Sequence, residues 1–329
     1  VYKRQDHAGG TVFYYAGTPA PLGPTLVAEY PEIKAFARVQ SGWDGWQLHY
    51  GDKYFFTEKL AAVDPTFFQV FDFPFLKGDP KTALNTKDSI VITRDLAQKC
   101  FESQDPMGKV LQIGGNELKV TAVIENIPRQ SHIQFDYAFP ADNMTEWRES
   151  RLDSWAYTQF ATYIKVSQKT TPKQINAILA DIQKRYLPKA KGLLYVQPLT
   201  DIHLTSSHIN TWNVVYPNPG NLSSLYIFSL TAFVILLIAC INFMNLSTAR
   251  SGARAREVGM RKVAGAGRRD LIQQFMGESI ALALLSLVLA VVILEMALPY
   301  FSGLLGKPLT LNVLQNPVLF LGLLGAALL

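Results

Sequence analysis

The pattern of apolar and polar positions changes character once along the chain. Up to about residue 224, apolar residues come in short runs broken by turn residues, and beyond that point they come in long blocks. The first block, LYIFSLTAFVILLIACINFMNL at residues 225–246, carries no charge. At about 1.5 Å rise per residue it extends roughly 33 Å as a helix, enough to cross a hydrocarbon core of about 30 Å. A second block follows at 271–298, and a third, PVLFLGLLGAALL, opens at Pro317 and stops after 13 residues at Leu329. The third is too short to span, so the natural chain is expected to continue. The start, VYKRQDHAGGTVFYY, has neither an initiator Met nor the apolar core of a signal peptide, so a segment is expected before it as well.

Charge orients these blocks. The segment between the first two holds Arg250, Arg254, Arg256, Arg261, Lys262, Arg268 and Arg269 against Glu257 and Asp270. Short loops rich in Lys and Arg stay on the cytoplasmic side. The connection after the second block has Lys307 as its charge, the depletion expected of an external loop. The expectation is therefore an extracytoplasmic domain over 1–222 and a membrane domain over 223–329. The latter has helices at about 225–247 and 271–298, a truncated one from 317, and a cytoplasmic loop at 248–270. Translocating the first domain calls for an upstream membrane helix or signal.

Residues 1–222 read as α+β. Residues 54–63, YFFTEKLAAV, have strand composition, and Asp64 with Pro65 reads as an N-cap and first-turn pair for a helix through Phe71. SIVIT leads into a helix RDLAQKCF with Thr93 as cap, and LQIGGNELKVTAVIENI reads as a hairpin turning at Gly114, Gly115 and Asn116. Thr171 and Pro172 start the clearest helix, with Ile175, Ile178, Leu179, Ile182 and Tyr186 on one face. Strand-like LLYVQPL follows. TPAPLGP at 18–24 reads as a loop, and 206–221 as the linker into the membrane.

Composition adds exclusions more than assignments. The hydrophobic share of 49% averages a soluble and a membrane part and describes neither, and the net charge of +5 owes much to the basic segment, so it does not point to nucleic acid. Cys100 and Cys240 fall in different domains and are not expected to pair. His7, His49, His132, His203 and His208 show no metal-site spacing, with Asp201 and His203 at strand spacing in TDIHL, and Ser131 beside His132 is better read as turn packing than as a hydrolase. G-x-x-x-x-G-K-[ST] is absent, and Gly78 and Gly108, in the nearest fragments, read as tight turns. Any ATP would then bind another chain or a segment outside this one. No catalytic, cofactor or metal site is expected.

Two sets of residues stand out in the membrane part. Asn242, Asn245 and Glu278 share a depth of roughly 8 to 10 Å inside the cytoplasmic face by helical rise and could hydrogen-bond across two helices, while Glu295 lies near the outer boundary. In the basic segment Glu257 and Arg261 stand at i and i+4 on a short helix that spans Gly259 and ends at Gly265 and Gly267. The interleaved Val258, Met260, Val263 and Ala264 offer an apolar face that a merely solvated loop would not need, which suits docking to a partner protein.

These residues carry a resemblance. AREVGMRKVAGAGRRDLIQQFMGES, with LLIACINFMNLSTAR before it, resembles FtsX-like, MacB-type ABC transporter permeases, in particular versions from Bacteroidetes-type bacteria. Upstream, VDPTFFQVFDFPFLKGDPKTAL, SIVITRDLAQKCF, DPMGKVLQI and VTAVIENIPRQSHIQFDY resemble the extracytoplasmic core domain of that family, in order and spacing. The resemblance implies a preceding membrane helix, a dimer of permeases or permease halves in the bacterial inner membrane, and cytoplasmic ABC ATPase subunits that hydrolyse ATP. A periplasmic adaptor or an outer-membrane channel would be a further partner. It implies that Glu257, Gly259, Arg261, Lys262, Gly265 and Ala266 seat on the ATPase, so that ATP-driven closure moves the external domain in efflux, export or mechanotransmission. The alternative function is a regulator or sensor controlling a periplasmic partner such as a cell-wall hydrolase. A membrane-anchored enzyme ranks last.

Overall fold

A computed structural model describes residues 2–3, 14–41, 47–56, 59–128, 131–141, 152–190, 192–210, 220–265, 267–305, 311 and 316–328. The chain forms two compact units, Val1–Phe228 and Ser229–Leu329.

The first unit runs β1 (Tyr2–Lys3), β2 (Tyr14–Tyr15), α1 (Leu22–Glu29), β3 (Ile33–Gln40), β4 (Gln47–Tyr50), β5 (Lys53–Phe56), β6 (Leu60–Val63), α2 (Phe67–Val70) and β7 (Phe75–Lys77). It continues with β8 (Ser89–Thr93), α3 (Arg94–Phe101), β9 (Val110–Ile113), β10 (Asn116–Ile124), β11 (Tyr137–Pro140), β12 (Ala161–Val166), α4 (Pro172–Tyr186), β13 (Leu193–Leu194), α5 (Ile202–Thr205) and β14 (Ile209–Asn210). A ten-stranded mixed sheet takes the order β12-β3-β6-β11-β8-β10-β9-β4-β5, with β7 also paired to β10. Its parallel pairs are β8 with β10 and β6 with β11.

Why the centre of this sheet reads as continuous apolar sequence is visible in its packing. β6, β8 and β11 are buried at every position, the pattern of strands covered on both faces. Successive side chains alternate between two cores. Leu60, Ala62, Ile90, Ile92, Tyr137 and Phe139 join the one closed by α3, while Ala61, Val63, Val91 and Ala138 join the one closed by Phe67 and Phe68 of α2. A third core holds α1 against α4 through Leu22, Leu26, Ile175, Leu179 and Ile182.

Local signals behave as their chemistry dictates. Thr93 accepts from the Leu96 N–H at 3.4 Å, and Thr171 with Gln174 closes a capping box at the start of α4. The β9–β10 hairpin turns through Gly114 and Gly115 at φ +55° and +83°, while Asn116 already belongs to β10. Gly78 and Gly108 sit at φ +89° and +75°, the left-handed backbone that glycine reaches without a Cβ penalty.

Other local readings need correction. Residues 54–63 are two strands, not one: β5 pairs with β4, whereas β6 pairs with β3 and β11. Asp64 caps nothing. The N-cap position of α2 is Thr66, without a side-chain cap, and the Asp64 carboxylate is spent on Arg38. α1 starts at Leu22, inside the expected 18–24 loop. TDIHL is a 3-10 turn leading into α5 rather than a strand, and of LLYVQPL only Leu193–Leu194 pairs, with β1. Much of the expected linker, residues 211–219, lies outside the described residues.

α6 (Leu222–Val263) leads into the second unit, which continues with α7 (Arg268–Leu305) and α8 (Pro317–Leu328). α6 has 42 residues, about 63 Å of helix. Most of the segment expected as a loop at 248–270 is thus helical, and residues 264–267 alone separate α6 from α7. Helix formers and the Glu257–Arg261 pair continue the backbone pattern past the end of the apolar run. α7 likewise runs beyond the expected end at 298 and through Pro299. The stretches Leu222–Gly252 and Arg268–Gly303 are long and apolar enough to cross a membrane. Phe228, Leu285 and Met296 along them are mostly exposed, surface that water does not tolerate in such quantity and lipid or protein must cover.

Candidate functional site

The basic residues of the second unit gather where α6 runs past its apolar stretch and where α7 begins. From Ser247 to Val263 α6 continues about 24 Å past its apolar run. Arg261 donates to Glu257 at 2.7 Å one turn back and also to the side-chain oxygen of Gln274 on α7. Both partners of the ion pair are about two-fifths exposed, so the pair contributes only about 0.3 to 0.5 kcal/mol. Its effect is placement, since one guanidinium braces the last turns of α6 and the first turns of α7.

The turn itself is short. Ala264 N–H donates to the Met260 carbonyl and Gly265 N–H to the Lys262 carbonyl, each at 3.0 Å. Gly265 adopts φ +96°, which stops the helix at little cost because glycine lacks a Cβ. Leu271, in the first turns of α7, is buried. Gly259 and Lys262 lie on the exposed surface of α6, and Ala266 lies outside the described residues.

The interleaved apolar residues do not share a face. Val258 and Met260 are two positions apart and so about 200° apart around the helix. Val258 is half-buried, while Met260 and Val263 are 69% and 92% exposed. The outward stripe therefore consists of Met260 and Val263 with Arg256 and Gly259, and Val258 faces away from it. Spacing in a string of mixed residues hides this; a helical projection of 256–263 would have found it.

Asn242 and Asn245 lie one turn apart on one side of α6, and Glu278 lies on α7. All three are exposed. Among the described residues no hydrogen bond joins either asparagine to Glu278.

In the first unit, burial pushes the His132 imidazole down to about 4, and its ring lies 5.6 Å from that of Tyr163. Ser131 Oγ accepts from the Ile133 N–H at 3.3 Å, a turn contact. His49 and His208 stand edge-on to Tyr54 and Tyr14, and His7 lies outside the described residues. Burial holds the Cys100 thiol up at about 11, so it is a packing group. Among the described residues there is no cluster of His, Cys, Asp or Glu able to hold a metal. Motif reading missed a cleft of about 270 Å³ beside β12 and the buried pair Arg38–Asp64, because both join residues remote in sequence.

Comparison with known proteins adds the following. The family model for the MacB-like periplasmic core domain matches residues 1–182, and that for the FtsX-like permease C-terminal region matches residues 229–329. The pyoverdine export ATP-binding/permease protein PvdT of Pseudomonas syringae pv. syringae is 21% identical over 86% of this chain and 43% of its own length. The ABC transporter permease YvrN of Bacillus subtilis, whose function is uncharacterised, is 23% identical over 87% of this chain and 69% of its own. The macrolide export ATP-binding/permease protein MacB of Photorhabdus laumondii is 25% identical over 82% of this chain and 38% of its own. The chain thus spans less than half the length of the two ATP-binding/permease proteins. A crystal structure of a permease domain from Porphyromonas gingivalis superimposes with a TM-score of 0.50 at 21% identity, covering 59% of this chain and 84% of that one, which shows a shared fold.

Proposed function

Since the chain belongs to the MacB-type, FtsX-like permease family, we propose that it is the permease part of an ABC transport system in the bacterial inner membrane, moved by a partner ATPase. Residues up to about 222 form its periplasmic domain, and α6, α7 and α8 lie in the bilayer. The observation that carries the reading is the unbroken passage of α6 from its apolar span into a basic extension braced to α7 through Arg261. A hinge in that passage would absorb a push, whereas a continuous helix passes it on. An ATPase dimer closing against Met260, Val263 and the basic residues around them would tilt α6 as a rod and displace the domain at its other end. Work then crosses the membrane without cargo passing the bilayer centre, in keeping with spans that carry few charges. Export by the named relatives makes efflux or export the leading role.

The test is co-purification with the ABC ATPase subunits of its own organism, together with stimulation of ATP hydrolysis, in Glu257→Lys and Arg261→Glu variants. Each should lose both. Unchanged complex formation and stimulation in the two variants would overturn the coupling role.

A further inference from the structure

The sheet of the first unit ends on β12, which pairs with β3 on one side only. Backbone geometry shows where its other side points. Arg38 of β3 turns its N–H to Asp64 Oδ2 at 2.7 Å, and its carbonyl accepts from the Asp64 N–H at 3.3 Å, both away from β12. Its cross-strand partner Thr162 therefore occupies a non-hydrogen-bonded position of the antiparallel ladder, with its own N–H and C=O directed outward. Ile164 follows by the two-residue repeat. Phe160, two residues earlier, agrees: its outward carbonyl accepts from the Thr18 N–H at 2.6 Å. Beyond Phe160 that edge finds no further backbone partner among the described residues.

Residues 161–165 of β12 line the cleft of about 270 Å³, together with Phe71, Val196, Gln197, Leu199 and Ile202 among others. Its floor is aromatic, with Tyr163 packed edge-on against Phe71 at 5.0 Å. Lys165 is the charged side chain in its wall, exposed and without an ion-pair partner among the described residues. An open edge with unsatisfied donors and acceptors is a template for another strand. Here the template borders a pocket instead of bare solvent.

We propose that this cleft binds an extended polypeptide segment that adds to β12 as a strand, with an apolar side chain over Tyr163 and, two residues away, an acidic side chain on Lys165. The backbone edge selects an extended chain, since main-chain bonds give such a complex its affinity. The cleft volume, below the usual range of about 300–1,000 Å³ for small-molecule sites, fits a few side chains rather than a whole ligand. The positive wall selects the sign of the charge. The site lies wholly within the first unit and does not depend on the coupling role of α6.

The probe is the pentapeptide acetyl-TETVT-amide, labelled for fluorescence anisotropy, added to the full chain in detergent micelles. Saturable binding is expected. In the antiparallel pairing that sets its valine over Tyr163 and its glutamate over Lys165, the middle threonine lies opposite Ile164 with its N–H facing β12, and methylating that nitrogen should weaken binding about tenfold, as loss of one well-formed hydrogen bond predicts. Methylating the valine nitrogen, which faces away, should leave it unchanged. Ile164→Pro removes an outward N–H without touching the ladder to β3 and should also weaken binding about tenfold. Lys165→Glu, which leaves the backbone intact, should reverse the preference between this peptide and acetyl-TKTVT-amide. No saturable binding, or binding indifferent to the middle methyl group and to both variants, would overturn the proposal.

Discussion

Arg38 and Asp64 meet in a buried two-pronged ion pair. Arg38 Nε donates to Asp64 Oδ2 at 3.0 Å and Nη2 to Oδ1 at 2.7 Å, with the side chains 9% and 7% exposed. The remaining Nη1 donates to the Ala20 carbonyl at 2.7 Å just before α1, and the guanidinium carbon lies 5.2 Å from the Phe160 ring centroid. One side chain thus ties β3, the β6–α2 turn, the entrance to α1 and the residue before β12.

Removing either partner leaves the other charge buried and alone, a change that costs about 3–5 kcal/mol. Arg38→Met and Asp64→Leu should each lower stability by that order, and the double variant should recover much of the loss because no orphan charge remains. All five tryptophans precede residue 229, so urea unfolding followed by tryptophan fluorescence reads the first unit alone. Additive losses in the double variant would refute the account.

His132 makes the same unit sensitive to acid. Burial disfavours its charged form and lowers it from 6.5 to about 4. Between those values the unfolded chain takes up a proton that the folded chain does not, so this contribution is fully present above about pH 6.5 and disappears as pH falls towards 4. The full span is on the order of 3 kcal/mol. The carboxylates of Glu29, held low by its hydrogen bond from Arg185, and Asp181, by that from Tyr30, shift below their ordinary values. Their contributions are lost at lower pH. Urea midpoints at pH 7 and pH 4.5 should therefore fall in the parent protein and fall less in His132→Gln.

Two glycines with similar backbone should respond differently to alanine. At Gly78 a Cβ would lie 2.6 Å from the Thr121 carbonyl oxygen and 2.6 Å from the Ala122 Cβ, with β10 unable to retreat from the centre of a sheet. At Gly108 the nearest atom is the flexible Lys119 Cε at 3.7 Å. Gly108→Ala should cost about 1 kcal/mol, the price of a left-handed backbone in a residue with a Cβ. Gly78→Ala should cost clearly more. Equal urea midpoints for the two would show that β10 yields.

Much of the local structure was legible because short-range chemistry settles it. Thr93 and Thr171 cap helices through bonds to residues three further on, and Gly114 with Gly115 turns the hairpin because its backbone needs positive φ. Asp64 shows where this stops. As a helix cap it has the right neighbours, and only the arrival of Arg38, 26 residues away in sequence, decides that its oxygens go elsewhere. The extent of α6 was hidden for a related reason: charge marks where the lipid-facing run ends, not where the helix does. In the coupling segment the residue types were plain, but splitting Val258 from Met260 and Val263 takes the helical angle.

By itself, then, the sequence determined the two-part organisation, the apolar spans and most caps and turns, all set by hydration or by bonds within a few residues. The tertiary structure alone decided the strand order, the burial of Arg38 against Asp64, and the open edge of β12 beside its cleft. Each depends on which distant segments meet, and a hydrogen-bonding group in a strand does not record in its own neighbours whether a partner will come to cover it.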